Sequence, residues 1–157
     1  MRMDAVQDVR YKELIPINTP RRVGFDLVQR LVEVSSADVS EFTSVATYLH
    51  VKRWRDLIRF LLMSYSVEQQ LRRTEGVVRY GLRTNLPGKK FWTYSVWKDA
   101  QAIQPFVVTE PHSTAVRKFK DWADEGAAFS EWQNNDGKVD WDETERRLKN
   151  PTYYYKR

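Results

Sequence analysis

Phe91-Trp92-Thr93-Tyr94-Ser95-Val96-Trp97-Lys98-Asp99 is the stretch on which the fold turns. Aromatic and β-branched residues alternate along it with smaller polar ones, the period-two pattern of a strand. Asp99 then supplies an oxygen of the kind that caps a helix. Ala102, Ile103, Phe106 and Val107 recur at helical spacing. Pro111 interrupts or restarts that pattern, His112 follows, and Ala115, Val116, Phe119 and Trp122 carry an apolar face onward.

Working upstream, Asn85-Leu86-Pro87-Gly88 is a turn signal. It predicts a hairpin of Val77–Thr84 with Lys89–Trp97. Pairing Thr84 with Lys89 puts Val78, Tyr80, Leu82, Phe91, Thr93, Ser95 and Trp97 on one face. Val77, Arg79, Gly81, Arg83, Trp92, Tyr94 and Val96 fall on the other. Before the hairpin, Trp54–Arg73 reads as the clearest helix. Its stripe of Trp54, Leu57, Ile58, Leu61, Leu62 and Tyr65 is expected to be buried. Val45–Lys52 reads as the strand that precedes it, with Val45, Thr47, Leu49 and Val51 pointing one way.

Downstream, Ala127–Trp132 reads as a short strand, Asn134–Gly137 as a turn and Asp140–Leu148 as a C-terminal helix before an extended tail. Val23–Val34 suits a helix or a strand equally. Residues 1–42 are expected to be an N-terminal extension packed on a domain of residues 43–157. The element order of that domain is β-α-β-β-α-β, an α+β arrangement. Aromatic residues on both hairpin faces call for cover on both, and a partner subunit is the simplest source of the second.

Composition narrows the classes. The 157 residues suit one domain with a real core. Cysteine is absent, which removes disulfides, thiolate nucleophiles and Cys-ligated metal sites. No apolar run is long enough to span a bilayer, so no membrane partner is expected. A cytoplasmic location is the plain reading, the first eight residues having no signal-type apolar stretch. Net charge is +5, and residues 52–90 alone carry +7. That block could draw an anion or nucleic acid through Arg72, Arg73, Arg79 and Arg83. A solvated helix face and hairpin rim is the plainer account, and nucleic acid is not the expected partner.

These residues together resemble the dimeric α/β barrel superfamily, which has a ferredoxin-like fold. The likeness covers roughly residues 43–155. It lies in Ser95-Val96-Trp97, Phe106 with His112, Trp132, and Glu145 with Arg147-Leu148. It is nearest to an uncharacterised branch of the antibiotic-biosynthesis-monooxygenase-like proteins. The resemblance implies a homodimer whose sheets join, and a small-molecule ligand held in a cleft between sheet and helices. It also implies oxidation of an aromatic or polycyclic substrate by oxygen with neither metal nor flavin, or haem binding. Phe106 stands where the haem-degrading pattern has Trp, and His112 precedes the expected His position by about one helical turn.

Three hydroxyl-bearing residues, Tyr80, Thr93 and Ser95, share the face that the helices cover. Burying a hydroxyl without a partner costs about 1–3 kcal/mol, so such a set suggests a lined cavity. Trp97 and Phe106 would wall it. His112 is the candidate general base, or the axial ligand if haem binds. His50, Arg79 and Trp92, with Tyr48 and Tyr94, are the secondary group on the opposite face, where dimer packing explains aromatics without any ligand.

Overall fold

A computed structural model describes residues 27–33 and 41–155. The sequence order is β1 (Leu27–Glu33), β2 (Phe42–His50), α1 (Trp54–Arg73), β3 (Val77–Asn85), β4 (Lys90–Trp97), α2 (Ile103–Val108), α3 (His112–Trp122), β5 (Ala128–Asn134), α4 (Trp141–Lys149) and β6 (Tyr153–Tyr154). The strands form one antiparallel sheet in the order β1-β3-β4-β2-β5-β6. Its middle four strands with α1 and α2–α3 make the β-α-β-β-α-β unit of a ferredoxin-like α+β fold. The ambiguous Val23–Val34 segment resolves in part: Leu27–Glu33 is an edge strand on β3, Phe42 already belongs to β2, and residues 1–26 and 34–40 of that extension lie outside the described residues. No helix among the described residues is long and apolar enough to cross a membrane.

The hairpin pairs Asn85 with Lys90 and Thr84 with Phe91, two residues from the expected register. A shift of two preserves the faces, because side chains alternate with period two. The closing turn is held by Asn85 Oδ1, which accepts from the Gly88 N–H at 2.8 Å. Two assignments do change sides. A bulge between Val77 and Arg79 inserts an extra residue. Val77 therefore faces the helices, in one core with Tyr80, Trp97, Ile103 and Phe106, while Val78 joins Tyr94, Val96 and Trp141 on the far face.

Helix α1 spans the expected residues but buries a different stripe. Phe60 and Leu71 are buried, with Leu57, Met63 and Val67 packed beside them. Of the expected stripe only Leu57 packs inward; Trp54, Ile58, Leu62 and Tyr65 are 59–70 % exposed. The reason is length. Continuing the Trp54–Tyr65 stripe by four and seven residues reaches Gln69 and Arg72, whereas the stripe through Leu57 and Phe60 stays apolar to Leu71. The longer apolar register takes the sheet. For the same second helix pattern, α2 and α3 separate at a cis Glu110–Pro111 bond, and Val107 and Val116 point outward instead of in. Asp99 accepts from the Ala102 N–H at 2.8 Å, capping the turn before α2 and not the helix itself.

Part of the far face receives cover from within the chain, through α4. Asp140 caps α4 by accepting from the Asp142 and Glu143 N–H groups. Trp141 then lies on Gly81, so closely that a Cβ there would stand 2.9 Å from its ring. Arg83 stacks on Trp141 at 4.4 Å and bonds Glu145 at 2.9 Å. Beneath them a buried polar knot forms, in which Tyr94 Oη meets Ser44 Oγ at 2.8 Å, Asn134 Nδ2 and the Lys138 carbonyl, both at 3.1 Å. Burial raises the Tyr94 pKa, with its hydrogen bonds to Ser44 and Asn134 pulling the other way.

Candidate functional site between sheet and helices

On the helix side of the sheet two apolar clusters stand apart. One gathers Tyr80, Trp97 and Phe106 with Val32 and Leu71. The other gathers Phe60, Phe91 and Trp122. Thr93 sits between them on β4, a strand with neighbours on both sides. It faces the helices, yet it is exposed. Thr47, its partner on β2, is half-buried, and the two hydroxyls meet at 2.5 Å. Val45, Leu82 and Ser95 around them are also only half-buried. An interior strand residue keeps such exposure only where the layer above does not close over it. The helices therefore leave a hollow with a threonine pair on its floor.

Beside this opening, one buried core cluster and its immediate contacts gather most of the residues expected from the sequence. Ser95 Oγ accepts from Trp97 Nε1 at 2.9 Å. The Trp97 ring lies 5.4 Å from Phe106, and Phe106 lies 4.3 Å from the His112 imidazole. Tyr80, opposite Ser95, has no exposed surface. Its hydroxyl donates to Glu68 Oε1 and accepts from Arg72 Nε, each at 2.7 Å. Tyr80 thus anchors β3 to α1, and its oxygen is already spent on that pair.

His112 opens α3. Its N–H donates to Gln70 Oε1 at 2.9 Å, while Gln70 Nε2 donates to the Phe106 and Thr109 carbonyls at 3.1 and 3.2 Å. One amide on α1 therefore fixes the α2–α3 junction. The imidazole Nδ1 lies 3.4 Å from the Val107 carbonyl. A carbonyl only accepts, so the contact is a hydrogen bond in the tautomer that carries its proton on Nδ1 and a lone pair on Nε2. Burial pushes the imidazole pKa down, and the Val107 bond pulls weakly the other way. A neutral ring with a basic Nε2 can take a proton or bind a metal.

A groove of about 780 Å³ opens beside this cluster, lined by Tyr65, Gln70, Arg73, Phe106 and Pro111 among others. Gln70 and Thr47 were absent from the sequence-derived set. Thr47 was legible in the alternation Val45, Thr47, Leu49; Gln70 stood out only as an amide one residue before a buried leucine.

The secondary group lies on the far face. Tyr48 and Trp92 pack at 5.2 Å, His50 Nδ1 stands 3.7 Å from Asp124 Oδ2, and Arg79 pairs with Glu33 at 3.7 Å. These residues are half-buried and form no enclosed cluster with the Thr93 hollow. The arginines considered for an anionic partner are largely taken: Arg72 by Glu68, Arg79 by Glu33 and Arg83 by Glu145. Among the described residues no group of three or more His, Cys, Asp and Glu side chains could hold a metal ion.

No family model matches the chain, and no curated protein matches it. Solved structures do. A protein described as a monooxygenase from Fusobacterium nucleatum superposes with a TM-score of 0.55 at 16% identity, over 73% of this chain and 54% of its own. An antibiotic biosynthesis monooxygenase gives a TM-score of 0.52 at 14% identity, over 57% and 95%. A similarly described protein from Nitrosomonas europaea gives 0.51 at 18% identity, over 57% and 95%. At these identities the likeness is one of fold: the chain has the ferredoxin-like architecture of the antibiotic-biosynthesis-monooxygenase-like proteins.

Proposed function

We propose that the protein is a small-molecule enzyme of the monooxygenase-like class, acting in the cytoplasm on an aromatic ligand held in the helix–sheet hollow. The observation that carries this reading is the exposed Thr93 on a central strand, flanked by two apolar clusters. Apolar walls with a few convergent polar groups are the usual make-up of a ligand site. Trp97 and Phe106 form the apolar end. Thr47, Thr93 and Ser95 orient polar substituents. Tyr80 holds that end of the floor through Glu68 and Arg72.

In this reading His112 Nε2 takes a proton from an activated methylene or phenol of the substrate. The resulting carbanion supplies its own electrons to oxygen. One oxygen atom ends in a new carbonyl, and the other leaves as water with the two hydrogens lost from carbon. No external reductant enters that balance. The protein works as a homodimer in this proposal, its copies meeting near Tyr48 and Trp92, where the far face lies beyond α4.

The test uses anthrone-type phenols and an oxygen electrode. His112→Ala is expected to lower turnover at least tenfold with folding intact. Thr93→Leu is expected to fill the hollow, raise KM and leave stability within about 0.5 kcal/mol. Wild-type oxygen uptake no faster than the buffer rate, or a Thr93→Leu variant that behaves as wild type, would sink the proposal.

One observation favours a second reading, the free Nε2 of a neutral His112. In a haem protein that nitrogen would hold the iron, and the apolar cluster of Phe106 and Trp97 would lie on that side of the site. A Soret band that vanishes in His112→Ala selects haem; colourless protein indifferent to added haemin removes it.

A further inference from the structure

The outward surface of α1 has a composition that core packing does not explain. Its exposed residues are Trp54, Arg55, Ile58, Arg59, Leu61, Leu62, Tyr65, Ser66 and Arg73. Five are large and apolar, three are cations, and none is acidic. Both of the helix's inner carboxylates are engaged, Asp56 by Arg53 and Glu68 by Arg72. Exposed acids lie off the helix: Glu75 beyond its end faces Lys98 at 3.8 Å, Glu110 pairs with Arg117, and Asp121 belongs to α3. Arg55 and Arg59 have no ion-pair or hydrogen-bond partner among the described residues.

A groove of about 710 Å³ runs along the same helix, between it and α3. Lys52, Arg53, Arg59, Lys118 and Lys120 line it against Asp56 and Asp121, so it too is cationic. Leu62 forms part of its rim. On the outer side of α2 and α3, Val108 and Val116 add further exposed apolar surface, at 70 % and 54 %.

We infer that this face docks on an anionic lipid surface. An apolar stripe of Trp, Ile, Leu and Tyr bordered by cations is the pattern of a helix that lies in the plane of a membrane interface. Trp54 and Tyr65 stand near the two ends of the stripe, and such rings favour the headgroup level. The charge pattern decides against the obvious alternative. Two copies meeting through α1 would bring Arg55 and Arg59 against cations of the same kind, with no acid among the exposed residues of the helix to answer them. Lipid phosphates at the Arg59–Lys118–Lys120 groove answer the uncompensated charge. A helix that lies on a bilayer needs no spanning segment.

The experiment is co-sedimentation of the full chain with phosphatidylglycerol–phosphatidylcholine vesicles, beside pure phosphatidylcholine vesicles. Binding to the anionic vesicles is expected, and it should fall steeply with added salt. Arg55→Gln with Arg59→Gln should weaken it about 30-fold, the loss expected for two basic side chains at such a surface. Ile58→Ser with Leu62→Ser should weaken it at least tenfold. Both apolar positions are exposed, so circular dichroism should show an unchanged fold. No sedimentation at low salt, equal sedimentation with pure phosphatidylcholine, or full affinity in the Ile58/Leu62 variant overturns the inference. So does a wild-type chain that ignores vesicles but dimerises in the ultracentrifuge through Ile58 and Leu62. Vesicle binding is read without substrate, so it stands or falls separately from the oxidative reading.

Discussion

Two tyrosines of nearly equal burial should respond very differently to loss of their hydroxyls. Tyr80 and Tyr94 are 0% and 1% exposed. The Tyr80 hydroxyl sits between the carboxylate of Glu68 and the guanidinium of Arg72 at 2.7 Å from each. Hydrogen bonds to charged groups contribute about 1.5–3 kcal/mol each. In Tyr80→Phe both vanish, while the Arg72–Glu68 pair survives at 2.8 Å and the Arg72 side chain, 22% exposed, regains some water. The expected loss is about 3 kcal/mol. In Tyr94→Phe the bonds lost are neutral, and their partners keep others: Asn134 Nδ2 still reaches Ser44 Oγ at 2.9 Å and the Lys138 carbonyl at 2.8 Å. That loss should be about 1 kcal/mol. Equilibrium urea unfolding of both variants, followed by fluorescence and far-UV circular dichroism, gives the comparison. A Tyr80→Phe, Glu68→Gln double-mutant cycle should return a coupling of about 1–2 kcal/mol. Equal costs for the two tyrosine variants, or a larger cost for Tyr94→Phe, would refute the assignment of α1's attachment to a charged clamp.

Two further outcomes follow from the same geometry. Burial holds the His112 pKa below its ordinary 6.5, so as pH falls the unfolded chain takes up the proton first. Stability is then whole above about pH 6.5 and drains as pH falls through the folded-state value; urea midpoints measured from about pH 7 to pH 5 should show a slope that flattens in His112→Gln. Asp140→Ala removes the cap that Asp142 and Glu143 N–H groups share, and should cost about 1 kcal/mol, with Trp141 fluorescence reporting looser docking of α4.

Much of this architecture could be read from residue order. The helix Trp54–Arg73, the hairpin turn at Asn85–Gly88 and the restart at His112 each carry a local signal strong enough to survive tertiary context. What escaped were choices that local signals leave degenerate. Helix α1 has two apolar stripes, and only the competition for the sheet selects the one reaching Leu71. The swap of Val77 and Val78 needs a bulge, and alternation by itself has no way to mark one. The cover over Tyr94 came from Trp141, whose approach depends on the missing side chain at Gly81, sixty residues earlier in sequence. At the candidate site, Ser95, Trp97, Phe106 and His112 were legible because one strand–helix stretch holds them all. Gln70 was not, since its hydrogen bonds cross to another element.

The chain's own α4 on the sheet's far face has a consequence for assembly. A second molecule that sought the same ground would compete with an intramolecular tail whose effective concentration is far higher. Either it settles for the margin by Tyr48 and Trp92, or it evicts Trp141 and exchanges tails. In the second case oligomer formation and C-terminal rearrangement become a single, slow event.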